Sequence, residues 1–202
     1  MEPIDSAFEV QEVQHVYKVL DPRWMAIRTE HTFRLRALRP HRLFLREYVW
    51  DNETGIEKAP TVSSGKNPNG TSSHRLQGPV IVGLNGRRLA VIDLGRMVEP
   101  DETETVTIEH FFVRVNPENE GWVSEAVKPG CRRIQLEAIL PEREDLRPHW
   151  KCQHLGSDNW EFEEPLELHT DDPGRVRVSH LIDNPKPKYR YRVSWDQVRM
   201  SE

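Results

Sequence analysis

Side chains alternate between apolar and polar along most of this chain, and the alternation is clearest near the C-terminus. In residues 188–195, Lys-Tyr-Arg-Tyr-Arg-Val-Ser-Trp, the odd positions are aromatic or β-branched and the even positions are polar. A two-residue period is typical of a β-strand with one face buried and the other in water. Comparable runs elsewhere predict about nine strands and an all-β protein. These runs are residues 13–19, 28–38, 43–50, 78–83, 88–94, 103–115, 133–140, 160–168 and 174–182.

The composition fits an antiparallel sandwich of two sheets. Of the 202 residues, 36% are hydrophobic and 30% are charged, so the core must be lean. A sandwich tolerates this composition because each strand buries only every second side chain. We therefore predict a two-sheet β-sandwich, immunoglobulin-like or jelly-roll-like, with long loops and little helix. Residues 13–198 are predicted to form this single domain, and residues 1–12 an N-terminal extension.

Two segments between the predicted strands carry strong turn signals. Asn85-Gly86 lies between two β-type runs and predicts a hairpin, because both central positions of a type I′ turn require positive φ. Residues 63–73 read Ser-Ser-Gly-Lys-Asn-Pro-Asn-Gly-Thr-Ser-Ser, a composition too polar to bury a core. We predict a flexible surface loop that proteases would cut. Its candidate cleavage positions are Gly65, Lys66, Asn67 and Gly70.

Two other segments depart from the alternation. Residues 103–115 change parity between Ile108 and Phe111, which predicts an extra residue near His110, as in a β-bulge or a strand that moves between sheets. Residues 142–158 are charged and follow no clear period, so we predict an irregular connection there.

Net charge argues against a nucleic-acid-binding protein. The formal charge of −5 gives no general attraction for a phosphate backbone. Five arginines do lie between positions 34 and 46, and alternation puts Arg34 and Arg36 on one face of a strand. We interpret this face as solvated and keep both arginines as candidate partner-binding residues.

The sequence carries no membrane or export signal. No apolar run approaches the ~20 residues that cross a bilayer. The first five residues, Met-Glu-Pro-Ile-Asp, lack the charged and apolar regions of a secretory signal. Two cysteines provide no disulfide framework. We therefore predict a cytoplasmic protein without a membrane segment.

One group of residues has a spacing that a metal ion can use. His149, Cys152 and His154 form a His-x-x-Cys-x-His group, a weak metal candidate. A structural zinc normally takes four protein ligands in two local pairs, and Cys131 has no such local partner. The same three residues are candidates for a cysteine-based site, but proximity in sequence does not activate a thiol. The favoured interpretation is polar loop histidines beside a partly buried free cysteine.

Common sequence motifs of enzymes that act on small molecules are missing. The chain contains no phosphate-binding loop, no dinucleotide fingerprint and no Gly-x-Ser-x-Gly elbow. The acidic runs 101–104 and 161–164 would support acid–base chemistry if they met in space. Charge runs beside strands more often protect sheet edges. We predict no cofactor and no catalytic residues, with a hydrolase using a carboxylate or a His/Cys site as the alternative.

Six tryptophans are many for this length. Trp50 and Trp195 end alternating runs, which places them in the predicted core. Trp122 and Trp150 lie in loop-like surroundings and are candidate partner-binding residues, because tryptophan is enriched in interface hot spots. Capping of the core is the other interpretation of this pair. Several aromatics exposed on one flat face would instead indicate a carbohydrate-binding sandwich.

Four segments resemble the β-sandwich accessory domains of bacterial conflict (defence) systems. They are Tyr48-Val49-Trp50 at the end of an Arg-rich strand, Val91-Ile92-Asp93-Leu94-Gly95-Arg96, the strand of residues 103–112, and Tyr189-x-Tyr191-x-Val193-x-Trp195. The resemblance covers residues 13–198 and consists of strand patterns, so it implies no catalytic residue. It implies a protein-interaction module beside a protease, TIR or NTPase effector. The expected role is adaptor, regulator or proteolytic target in bacterial antiviral defence, with the effector or a protease as partner and an undetermined oligomeric state.

Overall fold

The computed structural model of the protein describes residues 7–21, 26–49, 54–65, 73–82, 87–114, 120–170 and 172–197. Within these ranges the chain forms sixteen strands and no α-helix. In chain order the strands are β1 (Phe8–Val19), β2 (Ala26–Ala37), β3 (His41–Val49), β4 (Thr54–Glu57), β5 (Thr61–Val62), β6 (Arg75–Leu76), β7 (Ile81–Val82), β8 (Arg87–Val98), β9 (Thr103–Arg114), β10 (Glu120–Ala126), β11 (Arg133–Pro141), β12 (Leu146–His154), β13 (Phe162–Pro165), β14 (His169–Thr170), β15 (Arg175–Asp183) and β16 (Tyr189–Gln197). The all-β class predicted from the alternation is confirmed.

One layer of the fold is an eight-stranded sheet, here the large sheet. Its strand order is β14-β15-β11-β1-β2-β9-β4, and β5 also pairs with β9. All its neighbours are antiparallel except β1 and β11, which run parallel. Alternate residues along each long strand are buried, as in Phe33, Leu35 and Ala37 of β2. The opposite face carries mainly charged and hydroxyl side chains, such as Glu12, Arg34 and Thr32.

The second layer consists of two four-stranded sheets, whereas the sequence predicted a single one. The β16 sheet has the order β10-β16-β12-β13, and the β8 sheet joins β3, β8 and β6, with β7 also on β8. Both pack on the buried face of the large sheet. Trp195 of the β16 sheet lies 5.2 Å from Tyr17 between ring centroids, and Phe44 of the β8 sheet lies 5.8 Å from Phe33. The fold is therefore a sandwich whose second layer has a seam.

The first strand begins earlier than the sequence predicted. Phe8 already belongs to β1 and is buried, so residues 8–12 of the expected extension are part of the large sheet. Pairing with β2 shifts register between Val10 and Glu12. This bulge moves the buried positions from even to odd numbers. The two-residue period is therefore broken at the bulge, and the start of the strand cannot be recognised from the alternation.

The bulge predicted near His110 is wrong. Pairing of β9 with β2 continues from Thr103 to Val113 without a register shift. His110 occupies a buried position between Ile108 and Phe112. The apparent change of parity arises because a polar residue fills an inward position while the aromatic Phe111 lies on the other face of the strand.

The predicted irregular segment 142–158 contains a full strand. β12 lies between β16 and β13. Its inward positions include Pro148, Trp150 and Cys152. Proline and cysteine at inward positions do not read as a hydrophobic alternation, so the pattern gave no signal here.

Each of the two predicted turns has a described strand on either side of it. Ile81 of β7 pairs with Leu89 of β8 and Val82 pairs with Arg88, whereas the predicted two-residue turn at Asn85-Gly86 would pair Val82 with Leu89. The turn itself lies outside the described residues. At the predicted loop, the backbone N–H and the hydroxyl of Ser73 both donate to the carbonyl oxygen of Gly65. The loop of residues 66–72 is therefore closed at its base.

Cleavage within residues 66–72 is expected to leave the two fragments associated. The strands before the loop pair with strands after it: β1 with β11, β2 with β9 and β3 with β8. Limited proteolysis followed by size-exclusion chromatography should give one peak that separates into two bands only in a denaturing gel. Cleavage elsewhere with this loop intact, or separation of the fragments in native buffer, would contradict the prediction.

Candidate functional site

The outer face of the β16 sheet combines two tryptophans with three cations. Trp122 of β10, Lys151 of β12 and Arg190 and Arg192 of β16 share this face, because Trp122 pairs with Ser194 and Lys151 with Arg192. Trp160, from the loop between β12 and β13, lies over the same strands. We call these five residues the tryptophan–cation face.

Cation–π contacts order this face. The guanidinium carbon of Arg192 lies 4.4 Å from the ring centroid of Trp122 and 4.7 Å from that of Trp160. Lys151 Nζ lies 4.9 Å from the Trp160 ring. Each such contact contributes about 0.5–2 kcal/mol, depending on how far the cation is desolvated. Trp122 remains 45% exposed, so the face presents a large aromatic side chain held in one position.

Two of the three cations on this face have no ion pair among the side chains that the structure describes. Within the described ranges, neither Lys151 nor Arg190 has a carboxylate within ion-pairing distance, and Lys151 is only 9% exposed. Glu163 shares this face but lies 3.2 Å from His149 Nε2. The hydroxyl of Ser194 lies 2.9 Å from the same nitrogen. The face therefore carries a row of cations beside its tryptophans.

The structure does not bring the other tryptophan candidate to this face. Trp150 lies on the inner side of β12, where it stacks on His180 at 4.2 Å and 15° and donates through Nε1 to Glu164 at 3.3 Å. Its position is part of the contact between the β16 sheet and the large sheet. Sequence reasoning named Trp122 and missed Trp160, Lys151 and Arg192, although the alternation in β16 does place its arginines on one face.

Arg34 and Arg36 lie on the outer face of the large sheet, on one side of β2 as the alternation predicted. Arg34 pairs with Glu12 at 3.0 Å, and Arg36 pairs with Glu9 at 2.9 Å. These two arginines are thus away from Trp122 and already have counter-ions.

The predicted metal and cysteine candidates do not converge. Because successive residues of a strand point to opposite faces, His149 lies on the outer side of β12, while Cys152 packs against the core. Burial raises the pKa of the Cys152 thiol, which disfavours the reactive thiolate. No group of three metal-ligating side chains occurs among the residues that the structure describes.

The two acidic runs lie on different sheets and have separate partners. Arg96 binds Glu102 at 2.6 Å and Glu104 at 3.2 Å on the large-sheet side. Tyr189 donates its hydroxyl to Glu161 at 2.9 Å on the β16 sheet. The paired-carboxylate arrangement that a glycosidase needs is therefore not formed by these runs.

The predicted loop has a polar anchor at its base. Gly65 has φ of 67°, whereas Lys66, Asn67 and Gly70 lie outside the described residues. The hydroxyl of Ser64 lies 2.9 Å from His74 Nδ1 and accepts a hydrogen bond from the Thr107 backbone at 2.8 Å, and His74 Nε2 lies 3.6 Å from Glu104. Because His74 is only 3% exposed, we interpret this serine–histidine–glutamate chain as an anchor that ties the base of the loop to β9.

A second polar cluster is buried at the seam where the three sheets meet. Glu125 of β10 lies 2.6 Å from His15 Nε2 and 2.8 Å from Arg46 of β3. The Nδ1 atoms of His15 and His31 lie 2.7 Å apart, and His31 Nε2 lies 3.2 Å from the hydroxyl of Thr29. Burial alone would raise the pKa of Glu125, but Arg46 and His15 outweigh it and hold that pKa well below its usual value. We interpret this cluster as structural.

None of the described residues belongs to a helix that could traverse a lipid bilayer.

No protein-family model and no curated protein matches the sequence. Solved structures do match its fold. A point mutant of the M1 zinc metallopeptidase from Deinococcus radiodurans matches with a TM-score of 0.52 and 12% identity, over 93% of this chain and 42% of that chain. The metallopeptidase without that mutation matches with a TM-score of 0.51 over the same shares and at the same identity. The chain thus spans less than half the length of these proteins, and a likeness at 12% identity shows the fold alone.

Proposed function

We propose that this chain is a non-enzymatic protein-interaction module that binds a protein partner through the tryptophan–cation face. The observation that carries the proposal is the exposed Trp122 held against Arg192. Tryptophan and arginine dominate the hot spots of protein interfaces. A side chain that is already ordered loses little conformational entropy on binding, so most of its contact energy is retained.

The resemblance to defence-system accessory domains supplies the setting of this proposal. In that setting the partner is an effector or protease of a bacterial antiviral defence system, and the chain is its cytoplasmic adaptor, regulator or proteolytic target. The proposal that the chain is a proteolytic target depends on the loop of residues 66–72. The closed base of this loop would let the protein stay folded after cleavage.

Two rival functions have weaker support from the geometry. A hydrolase would need converging catalytic groups, whereas His149 and Cys152 lie on opposite faces of β12. A carbohydrate-binding sandwich is favoured by Trp122 and Trp160 on one face, but Arg192 is stacked against both rings and occupies ring surface that a sugar would use. Stoichiometric zinc in the purified protein would support the hydrolase instead.

A photo-reactive benzoylphenylalanine in place of Trp122 is expected to cross-link to a protein partner in cells of the source organism. The matched control is the same residue in place of Leu181, which is 51% exposed on the outer face of the large sheet. Adducts of one defined mass at position 122 and none at position 181 would support the proposal. Equal adducts at both positions, or none at either, would reject it.

A further inference from the structure

We propose that the outer face of the β8 sheet holds a second binding site, which takes the phosphoryl group of a phosphorylated serine or threonine in an extended protein segment. The site consists of Arg42, at the register shift of β3, and Arg75 of β6, here called the arginine pair, with the buried Asp93 of β8 between them. It lies on a different sheet from the tryptophan–cation face and does not depend on that face.

One buried carboxylate orients both guanidiniums. Asp93 is 2% exposed. Arg42 donates through Nε to its Oδ1 at 2.7 Å and through Nη2 to its Oδ2 at 2.9 Å. Arg75 donates to the same Oδ2 through Nε at 3.3 Å and through Nη2 at 3.2 Å, and the backbone N–H of Gly95 donates to Oδ1 at 2.8 Å. The two guanidiniums are therefore held side by side before any ligand arrives.

The arginine pair carries one positive charge more than Asp93 balances. Among the side chains that the structure describes, Asp93 is the only carboxylate within ion-pairing distance of either arginine. Each guanidinium has five N–H donors, and those of Nη1 lie on the side away from Asp93. The side chains of Arg42 and Arg75 are 47% and 68% exposed, so these donors are open to a ligand from solvent.

A phosphomonoester suits two adjacent guanidiniums better than a carboxylate does. Its three terminal oxygens point in different directions and can accept from both arginines at once, and it carries a charge of about −2 at neutral pH. A carboxylate has two oxygens in one plane, which a single guanidinium satisfies. The geometry of the arginine pair therefore favours a tetrahedral dianion.

The surroundings of the arginine pair favour a protein segment over a nucleotide. Phe44 pairs with Ile92 and both lie in the core, so the half-buried Leu45 and Val91 project from the outer face. None of the described side chains on this outer face is aromatic, so a base has no ring on which to stack. In an extended peptide, the residue two positions from the phosphoserine lies about 7 Å away on the same side, which is the spacing from Asp93 to Val91. An apolar residue at that position would contact Leu45 and Val91.

Fluorescence anisotropy of short labelled peptides with the full chain tests this proposal. We expect Leu-Gly-phosphoserine-Gly-Leu to bind at low ionic strength, with affinity that falls as salt is added. The same peptide with unmodified serine should not bind, and the peptide with glutamate in its place should bind roughly tenfold more weakly. Inorganic phosphate should displace the phosphopeptide only at higher concentration, because it lacks the apolar contacts.

Substitutions of Arg75 test the arginine pair itself. Arg75→Gln leaves the bidentate pair of Arg42 and Asp93 in place, so the fold is retained, and phosphopeptide binding should weaken roughly tenfold. Arg75→Lys keeps the charge but not the planar fork and should recover only part of that loss. The matched control is Arg34→Gln, an exposed arginine paired with Glu12 on the large sheet, and it should leave binding unchanged.

Other outcomes would overturn the proposal. Equal binding of the phosphoserine and serine peptides, or an affinity that Arg75→Gln does not alter, would reject the arginine pair as a phosphate site. Tighter binding of the glutamate peptide would reject the phosphoryl group as its ligand. Inorganic phosphate or an oligothymidine that binds as tightly as the phosphopeptide would reject the protein segment. A loss of phosphopeptide binding in Trp122→Ala would show that the site is not separate from the tryptophan–cation face.

Discussion

Replacing Glu125 with glutamine is expected to lower the free energy of unfolding by about 3 kcal/mol. The substitution keeps the volume of the side chain but removes the negative charge that His15 and Arg46 share at the seam of the three sheets. Arg46, which is partly buried, would be left beside the neutral amide, and an uncompensated charge removed from water is among the costliest defects a core can contain. Urea denaturation at neutral pH measures the loss.

Two controls separate the charge effect from a packing effect. Glu12→Gln removes a carboxylate from an exposed pair with Arg34 and should cost less than about 1 kcal/mol. The double variant Glu125→Leu/Arg46→Met removes both charges of the buried pair, so it should be more stable than the sum of the two single losses predicts. Strict additivity, or a loss in Glu125→Gln no larger than in Glu12→Gln, would show that the cluster does not stabilise the seam.

Acidification is expected to destabilise the protein steeply before its carboxylates are protonated. Burial lowers the pKa of four histidines, His31, His74, His110 and His180, below their ordinary value. For His110 the pKa falls from 6.5 to about 4. In the unfolded chain these histidines take up protons near their ordinary pKa, whereas in the folded protein they do so only at lower pH. The unfolded state therefore binds more protons in this window, and stability falls as the pH decreases.

The loss of unfolding free energy at acid pH follows from how far the histidine pKa values are lowered. Lowering the pKa of His110 from 6.5 to about 4 corresponds to roughly 3 kcal/mol of stability lost by pH 4, and the other three histidines add to this loss. Below the ordinary pKa of 4.5, Glu125 adds a further loss because its folded pKa is also lowered. Unfolding free energies measured by urea denaturation from pH 7 to pH 5 should show this decline.

Single histidine variants identify the source of the acid sensitivity. His110→Gln should flatten the dependence of stability on pH by about one proton between pH 6 and pH 4.5. His169 is exposed at the edge of the large sheet, and His169→Gln is the matched control for the loss of an imidazole side chain. A stability that is constant from pH 7 to pH 5 would show that the buried histidines do not stay neutral in the folded protein.

The strands were predictable where aliphatic or aromatic residues hold the inward positions, as in β2, β11 and β16. Prediction failed where other residue types occupy the inward positions. Gln11 at the bulge of β1, His110 in β9 and Pro148 in β12 are all buried. These residues are polar or lack the backbone donor of a regular strand, so their burial is decided by neighbours from other strands and not by their own hydropathy.

The candidate face was only partly predictable for the same reason. Trp122 was a candidate because of its residue type, and the structure leaves it exposed. Trp150 had the same type and similar surroundings in sequence, yet the pairing of β12 turns it inward against His180. Lys151 and Arg192 become neighbours only through the register between β12 and β16.

The sequence by itself determined that this protein is built of strands, because a two-residue period of burial is a local property that each segment carries in its own residues. Only the tertiary structure decided that the second layer divides into two sheets, that Lys151 lies beside Arg192, and that Glu125 meets His15 across 110 residues of chain. Those choices depend on which distant strands share hydrogen bonds and in what register. Many pairings satisfy the same local alternation, and the packing of the whole core selects one of them.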